Sequence, residues 1–274
     1  MVAHTSGGRV VAGSNPVGPN FMTFDQDQAF DTIYGIHVVH DLIQETGFFA
    51  SDVLYVGNRG NPRIQKIILK AQKARIEIKY VSFQELDEKS NYNKHQGVLL
   101  HRTESIEFKE LTSYEVTKNK EKTCLYVAID GVKDPQNVGA IIRSMVALGA
   151  SGLIYPQKKV SPLGSTVMKT SSGALAKIPI LRVPGIPSFL KSIRDKDVLI
   201  IGSSLEGVAF AQDTLHEIKQ AKNVVLILGS EDKGISEPTQ ELCNILVKIP
   251  QKDAIQSLNV ASAASILIYE LLKD

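Results

Sequence analysis

The chain contains no tryptophan, 2 cysteines and 4 methionines among its 274 residues. Cys124 and Cys243 lie far apart, each among apolar neighbours. Two such residues build no disulfide framework and give no metal-ligand spacing, so each reads as a reduced thiol and no metal is expected. No apolar run approaches the ~20 residues a membrane helix needs, and no secretory signal is visible. A soluble, cytoplasmic protein without membrane partners is expected. Charge of one sign is lacking too: 31 Lys and Arg face 29 Asp and Glu, for a formal net charge of +2. Any surface for a polyanion must therefore be local. No GxGxxG follows an apolar strand and no P-loop occurs, which disfavours a dinucleotide or nucleoside-triphosphate site. A nucleophile elbow is also absent.

What is there is enough for a core. Hydrophobic residues make up 43% of the chain, and the length suits two domains. Residues 1–29 read as a disordered or non-native leader, because MVAHTSGGRVVAGSNPVGPNF is rich in Gly, Ser, Asn and Pro and has no sustained period. An upstream-assigned start, with Met22 as the true one, is a further reading.

From residue 30 to 103 short helices and strands alternate. In NPRIQKIILKAQKARIEIKYVS, Asn61 suits a cap and Pro62 the first helical position. Ile64, Ile67, Ile68 and Ala71 form an apolar stripe. Arg59, Arg63, Lys66, Lys70 and Lys73 make a basic face with no acid on it. That face is either a solvated surface or a site for phosphates. Residues 104–122 are charged and weakly patterned, which reads as a linker with one short helical turn.

From 123 to 274 apolar strands alternate with helices, the pattern of an α/β domain with a mostly parallel sheet. CLYVAID has the continuous apolar character of a strand buried on both faces. Ligands of such sheets bind beyond the carboxyl ends of the strands.

Three stretches stand out at those ends. In DGVKDPQNVGAIIRSMVALGA, Asn137 sits where a helix should start and Arg143 follows on the same helix. Gly139 and Ala140 leave the first turn open to close approach. LGSEDKGIS carries Gly229 and Glu231. IPQKDAIQSLNV carries Ile249, Ser257, Leu258 and Asn259 at the mouth of the last helix, where Ser257 suits an N-cap and Asn259 is a second cap or a ligand holder. Each has an ordinary structural reading as a cap, a solvated side chain or a loop acid.

Together, NxGAxxR, GSExxG and IP…SLNV, in this order and each after a strand, resemble the three motifs of the SpoU (TrmH) family of RNA ribose 2′-O-methyltransferases. YGIHVV and HQGVLL resemble the borders of the small substrate-binding domain, similar to ribosomal protein L30e, that precedes the catalytic domain in many members. The resemblance implies a SPOUT α/β-knot fold with a C-terminal trefoil knot, S-adenosylmethionine as methyl donor and a homodimer. It also implies methylation of an RNA ribose 2′-OH, with a guanosine of large-subunit (23S-type) ribosomal RNA favoured over tRNA. Asn137, Arg143, Glu231, Ser257 and Asn259 would then be catalytic, with Arg143 or Glu231 as proton acceptor. Gly229, Ile249 and Leu258 would contact the cofactor, and the basic face at Arg59, Arg63, Lys66, Lys70 and Lys73 would hold RNA. Gln251 and Asp253 stand where the family often has Met and Gly, Ala261 replaces a hydroxyl, and Ala176 replaces an acid. The altered cofactor loop leaves one alternative of another class, an RNA-binding ribosome assembly factor without methyl transfer.

Overall fold

A computed structural model describes residues 32–57, 59–102, 109–118, 123–194, 196–210, 215–216, 218, 220–252 and 257–273. The leader, much of the linker and Asp253 lie outside the described residues.

Two sheets organise the chain. The first is four-stranded, in the order β1-β4-β2-β3, from β1 (Thr32–Tyr34), β2 (Val53–Val56), β3 (Glu77–Tyr80) and β4 (Val98–His101). Strand β4 runs antiparallel to β1 and β2, while β2 and β3 are parallel. Helices α1 (Ile36–Thr46), α2 (Pro62–Lys73) and α3 (Phe83–Lys89) connect them. Asn61 caps α2 by accepting from the Arg63 amide, and Pro62 takes the first turn. The stripe Ile64, Ile67, Ile68 and Ala71 is buried, as its spacing of three and four requires.

The second sheet is six-stranded, in the order β10-β8-β9-β5-β6-β7, and every pairing in it is parallel. Its strands are β5 (Cys124–Asp130), β6 (Gly152–Pro156), β7 (Ile180–Val183), β8 (Leu199–Ala209), β9 (Asn223–Gly229) and β10 (Ile245–Lys248). Alternate residues of β5 serve opposite faces. Leu125, Val127 and Ile129 share a core with α5 (Pro135–Leu148), α6 (Ser165–Thr170) and α9 (Val260–Leu272). Cys124, Tyr126 and Ala128 share another with α7 (Ile186–Ile193). Helices α4 (Ser113–Lys118) and α8 (Glu237–Gln240) lie elsewhere along the chain. Burial on both faces explains why these strands read as unbroken apolar runs.

Three sequence expectations change. Residues 109–118 are not a free linker. Leu111 and Lys109 exchange backbone hydrogen bonds with Ile180 on β7, and Leu111 and Val116 are buried. Thr112 and Glu115 form a reciprocal cap at the start of α4, the S/T-x-x-E pattern that favours a helix start. Asp134, not Asn137, caps α5, by accepting from the Gln136 amide. Gly139 is buried, and what approaches it is protein: a Cβ there would stand 1.8 Å from Thr170 Oγ1 and 2.9 Å from the Ser171 amide nitrogen. The open first turn seats α6, not a ligand.

The two sheets meet at α6 and α1. Lys177 Nζ lies 3.9 Å from both Asp41 and Glu45, and Lys169 Nζ sits 4.4 Å from the Tyr34 ring centroid. Burial, then the nearby Lys94 charge, pushes the Lys169 pKa down.

Candidate active site

At the carboxyl ends of β8, β9 and β10 lies a cavity of about 550 Å³. It brings together Gly229 and Glu231 from the loop after β9, Ile249 and Gln251 from the loop after β10, and Ser257, Leu258 and Asn259 at the entry to α9. Six of these seven were picked out in sequence as site residues, with Asn259, Glu231 and Ser257 in polar roles; Gln251 was picked out as a departure in the same loop.

Asn137 ties this set together. Its Nδ2 donates to Glu231 Oε1 at 2.5 Å, and its Oδ1 accepts from Asn259 Nδ2 at 3.0 Å. Asn259 Oδ1 in turn accepts from the amides of Ala261 and Ser262. Asn259 is thus the N-cap of α9, and Ser257 is not; Ser257 lies exposed on the cavity wall. One chain of side-chain bonds links the loop after β9, the first turn of α5 and the mouth of α9.

The loop after β9 is held tightly. Ser230 and Gly234 exchange backbone hydrogen bonds at 3.0 and 2.9 Å. Gly229 is obligatory behind this turn, because a Cβ would stand 2.1 Å from the Gly234 carbonyl carbon. Asp130, the last residue of β5, accepts from Ser236 N at 3.0 Å and from Ser236 Oγ at 2.7 Å. Sequence reading passed over Asp130, although an acid closing an apolar strand just before Gly131 was a usable signal. It also missed Ser203 to Glu206, which line the cavity. There β10 pairs with Ile201 and Gly202 and then with Val208 and Ala209, so the intervening residues leave the ladder. The break is marked in sequence only by Gly202 and Gly207.

Arg143 is exposed on α5, beyond the lining of this cavity, and no partner contacts it among the described residues. The basic residues are distributed along one side of the smaller sheet. Lys66, Lys70 and Lys73 lie on α2, Arg63 Nη1 is 2.8 Å from His37 Nε2, and Arg59 precedes the helix and stacks on Tyr80. They are not near-neighbours of the cavity residues in the contacts described.

The cavity mixes carboxylates (Glu206, Glu231, Asp232), two lysines and the apolar Leu205, Ile249 and Leu258. Its size falls in the range of small-molecule sites, roughly 300–1,000 Å³. Acidic groups beside apolar walls and exposed strand-end backbone fit a cationic nucleoside derivative of the S-adenosylmethionine kind, with a flat base, a sulfonium and an ammonium.

Comparison with known proteins agrees with this architecture. Residues 124–269 match the SpoU rRNA Methylase family, and residues 32–106 match the RNA 2′-O ribose methyltransferase substrate binding family. The chain is 30% identical over 245 residues to a 23S rRNA (guanosine-2′-O-)-methyltransferase of Haemophilus influenzae, covering 89% of this chain and 98% of that protein. It is 28% identical to the Escherichia coli protein of the same description, over 89% of this chain and 98% of that one. The SpoU methyltransferase AviRb from Streptomyces viridochromogenes, solved in complex with the cofactor AdoMet, shares the fold with a TM-score of 0.68 at 21% identity, over 88% of each chain. The chain belongs to the SpoU rRNA methylase family.

Proposed function

We propose that this protein transfers a methyl group from S-adenosylmethionine to a ribose 2′-OH of RNA, most specifically of a guanosine in 23S-type ribosomal RNA. The observation that carries the reading is the Glu231–Asn137–Asn259 relay, which fixes three strand-end loops around one cavity. The 23S rRNA specificity of relatives that align over 89% of this chain supports the substrate. The fold shared with an AdoMet-bound methyltransferase supports the donor.

The bound donor supplies an electrophilic methyl on a sulfonium. Everything else falls to the chain. Gly229, Ile249 and Leu258 line the cavity with backbone and apolar surface suited to an adenosine. Asn137 holds Glu231 in position, leaving a carboxylate whose only donor among the described residues is that amide. Glu231 is the better proton acceptor for the 2′-OH, because a guanidinium is not deprotonated in proteins. Arg143 orients the ribose and its phosphate and stabilises the oxyanion as it forms. Holding hydroxyl and methyl in line accounts for much of the acceleration, up to roughly 7–11 kcal/mol in favourable cases. The smaller sheet and the α2 face select the RNA by shape and phosphate position.

The same reading includes a cytoplasmic homodimer. Arg143 lies outside the cavity of its own chain, and Ile266 and Tyr269 expose apolar surface on α9, the helix packed on α5. A two-fold contact through α5 and α9 would cover that surface and bring Arg143 to the partner's site. The trefoil threading belongs to it too, supported by β10 at the sheet edge followed by α9 against α5.

The test is transfer of labelled methyl from S-adenosylmethionine to undermethylated 23S rRNA, with 2′-O-methylguanosine mapped by mass spectrometry. Tight rRNA binding without incorporation would favour the assembly-factor alternative.

A further inference from the structure

The two arginines at the start of α2 are held by neighbours that carry no negative charge. Strands β1 and β2 both run antiparallel to β4, and β3 runs parallel to β2. The first three strands therefore end on the same side of the smaller sheet. There β1 leads into α1, which carries His37, β2 leads to Arg59 and α2, and β3 ends at Tyr80. Tyr80 lies opposite Val56, which shares a core with the apolar stripe of α2.

Each arginine has its own brace. The Arg59 guanidinium carbon lies 3.7 Å from the Tyr80 ring centroid, a stacked cation–π contact. The Arg59 carbonyl accepts from Gln65 Nε2 on α2. Arg63 Nη1 donates to His37 Nε2 at 2.8 Å. A guanidinium can only donate, so His37 is held neutral with its hydrogen on Nδ1. The Arg63 amide donates to Asn61 Oδ1 at 2.9 Å, which fixes the backbone at this arginine too.

The braces leave donors free. Stacking occupies the flat face of Arg59 and none of its N–H groups, and Arg63 gives His37 a single edge position. A phosphate is bound by a guanidinium edge through paired N–H groups. Surface arginines ordinarily meet acids, yet the chain has none from Arg59 to Ile76. Asp41, one turn after His37, is turned to His40 and Lys177 instead. Both arginines are exposed.

This end of the sheet also meets the catalytic domain. Tyr34 closes β1, and Lys169 Nζ lies 4.4 Å from its ring centroid. The next residue, Thr170, donates to the Pro135 carbonyl at 3.1 Å, at the start of the helix that carries Asn137.

We propose that Arg59 and Arg63 form a pre-set phosphate fork, with Tyr80 and His37 as its positioning residues. This rests on the RNA reading above and adds which contacts fix the register of the RNA backbone on α2. Lys66, Lys70 and Lys73 are point charges on flexible stems and add attraction without direction. A side chain ordered in advance loses less freedom when it binds.

Filter binding of the full-length protein to a 23S rRNA transcript, over a range of salt, tests the fork. Tyr80→Leu and His37→Ala remove a brace and change no charge. Each should weaken binding by roughly two- to tenfold, the cost of ordering one long side chain anew. The slope of affinity against salt should stay as in the wild type, because the same cations still meet phosphate. Tyr80→Phe keeps the ring and His37→Gln keeps an acceptor, so both should bind as the wild type does. Arg59→Lys with Arg63→Lys keeps both charges but loses plane and fork, and should weaken binding as well. Tyr80 is 45% exposed and His37 lies on the exposed side of α1, so folding should survive; His37→Ala and the double lysine variant decide the matter if Tyr80→Leu folds poorly. Full affinity in both brace-removing variants, or equal loss in Tyr80→Phe and His37→Gln, would overturn the fork and leave the methyltransferase reading intact. A wild-type chain that does not bind the transcript would overturn both.

Discussion

Asn259 donates its side-chain amide to Asn137 Oδ1 at 3.0 Å across 122 residues of chain, while its own carbonyl oxygen caps α9. One residue thus serves the last helix and the site together, and Asn137 serves only the site. The two substitutions should separate accordingly. Asn137→Ala should lower kcat on the order of 10²-fold, the scale of losing one fixed polar contact in an active site, with little change in thermal midpoint. Asn259→Ala should lose a comparable amount of activity and about 1 kcal/mol of stability as well, from the missing cap. Steady-state kinetics beside urea unfolding of both variants check this. Equal stability loss in the two would sink the division of roles.

Arg143→Ala should abolish most methyl transfer yet leave donor affinity within about twofold, because Arg143 stands outside the cavity and lost transition-state contacts need not alter ground-state binding. Calorimetric titration with S-adenosylmethionine reads one half of the claim and single-turnover methylation reads the other. Parallel loss of both would move Arg143 into the donor site. If the partner subunit receives this side chain, mixing Arg143→Ala with Asn137→Ala protein should restore activity to a fraction of the dimers.

The parallel sheet was legible because strands buried on both faces carry unbroken apolar runs, as in CLYVAID and NVVLILG. The three site stretches were legible because polar residues at strand ends need a reason. Other features depended on distances that sequence does not hold. Asn137 looked like a cap, since capping preference knows residue type and not that Asp134 stands one turn earlier beside Pro135. Gly139 looked like an opening for a ligand, and only packing reveals Thr170 in that space. The dock of residues 109–118 on β7 was obscured by charge, because Leu111 and Val116 are too few to show a period. Arg59 read as one of five phosphate-facing cations, although its stacking on Tyr80 couples it to a strand 21 residues later.

The most buried charge lies far from the chemistry. Arg102 is 0% exposed and forks onto Asp52 at 2.9 and 2.7 Å. It also donates to Thr46 Oγ1 and the Gly47 carbonyl, both at 2.8 Å, and lies over Phe49. Arg102→Leu strands the Asp52 carboxylate and should cost about 3–5 kcal/mol. Replacing both residues with leucine should recover part of that loss. Urea unfolding of the three proteins measures it, and a single-variant cost under ~1 kcal/mol would mean that Asp52 does not depend on Arg102 for its charge.

Burial, and then the Asp130 carboxylate, push the Cys243 thiol up to about 11. Only the thiolate is nucleophilic, so Cys243 should alkylate slowly at pH 8 and faster with each step toward pH 11. The sign for stability follows from the raised value: the contribution is complete below the ordinary thiol pKa and is lost as pH rises to about 11. Asp130→Asn removes the second cause and should speed alkylation at fixed pH. Mass spectrometry of the Cys243 peptide after timed iodoacetamide exposure follows the reaction, and rapid labelling of the wild type at pH 8 would contradict it.

The α2 surface gives the broadest test of RNA selection. Lys66 and Lys73 are exposed and Lys70 half-buried, on a helix whose core stripe lies on the other side. Changing all three to glutamate reverses charge without touching that stripe, and surface changes usually move stability by less than ~0.5 kcal/mol each. Folding should therefore survive. RNA affinity should fall, and its dependence on salt should become shallower as fewer counterions are released. Donor binding should not change, since the cavity belongs to the other sheet. Lys191, Lys196 and Lys222 supply the control: all three are exposed, and Lys196 and Lys222 precede β8 and β9, at the sheet end opposite the cavity. Reversing them alters net charge by the same amount. If filter binding shows equal loss for the two triple variants, general electrostatics explain the effect and α2 has no special part in holding RNA. Selective loss in the α2 variant, with the control near wild type, identifies the helix as a phosphate contact.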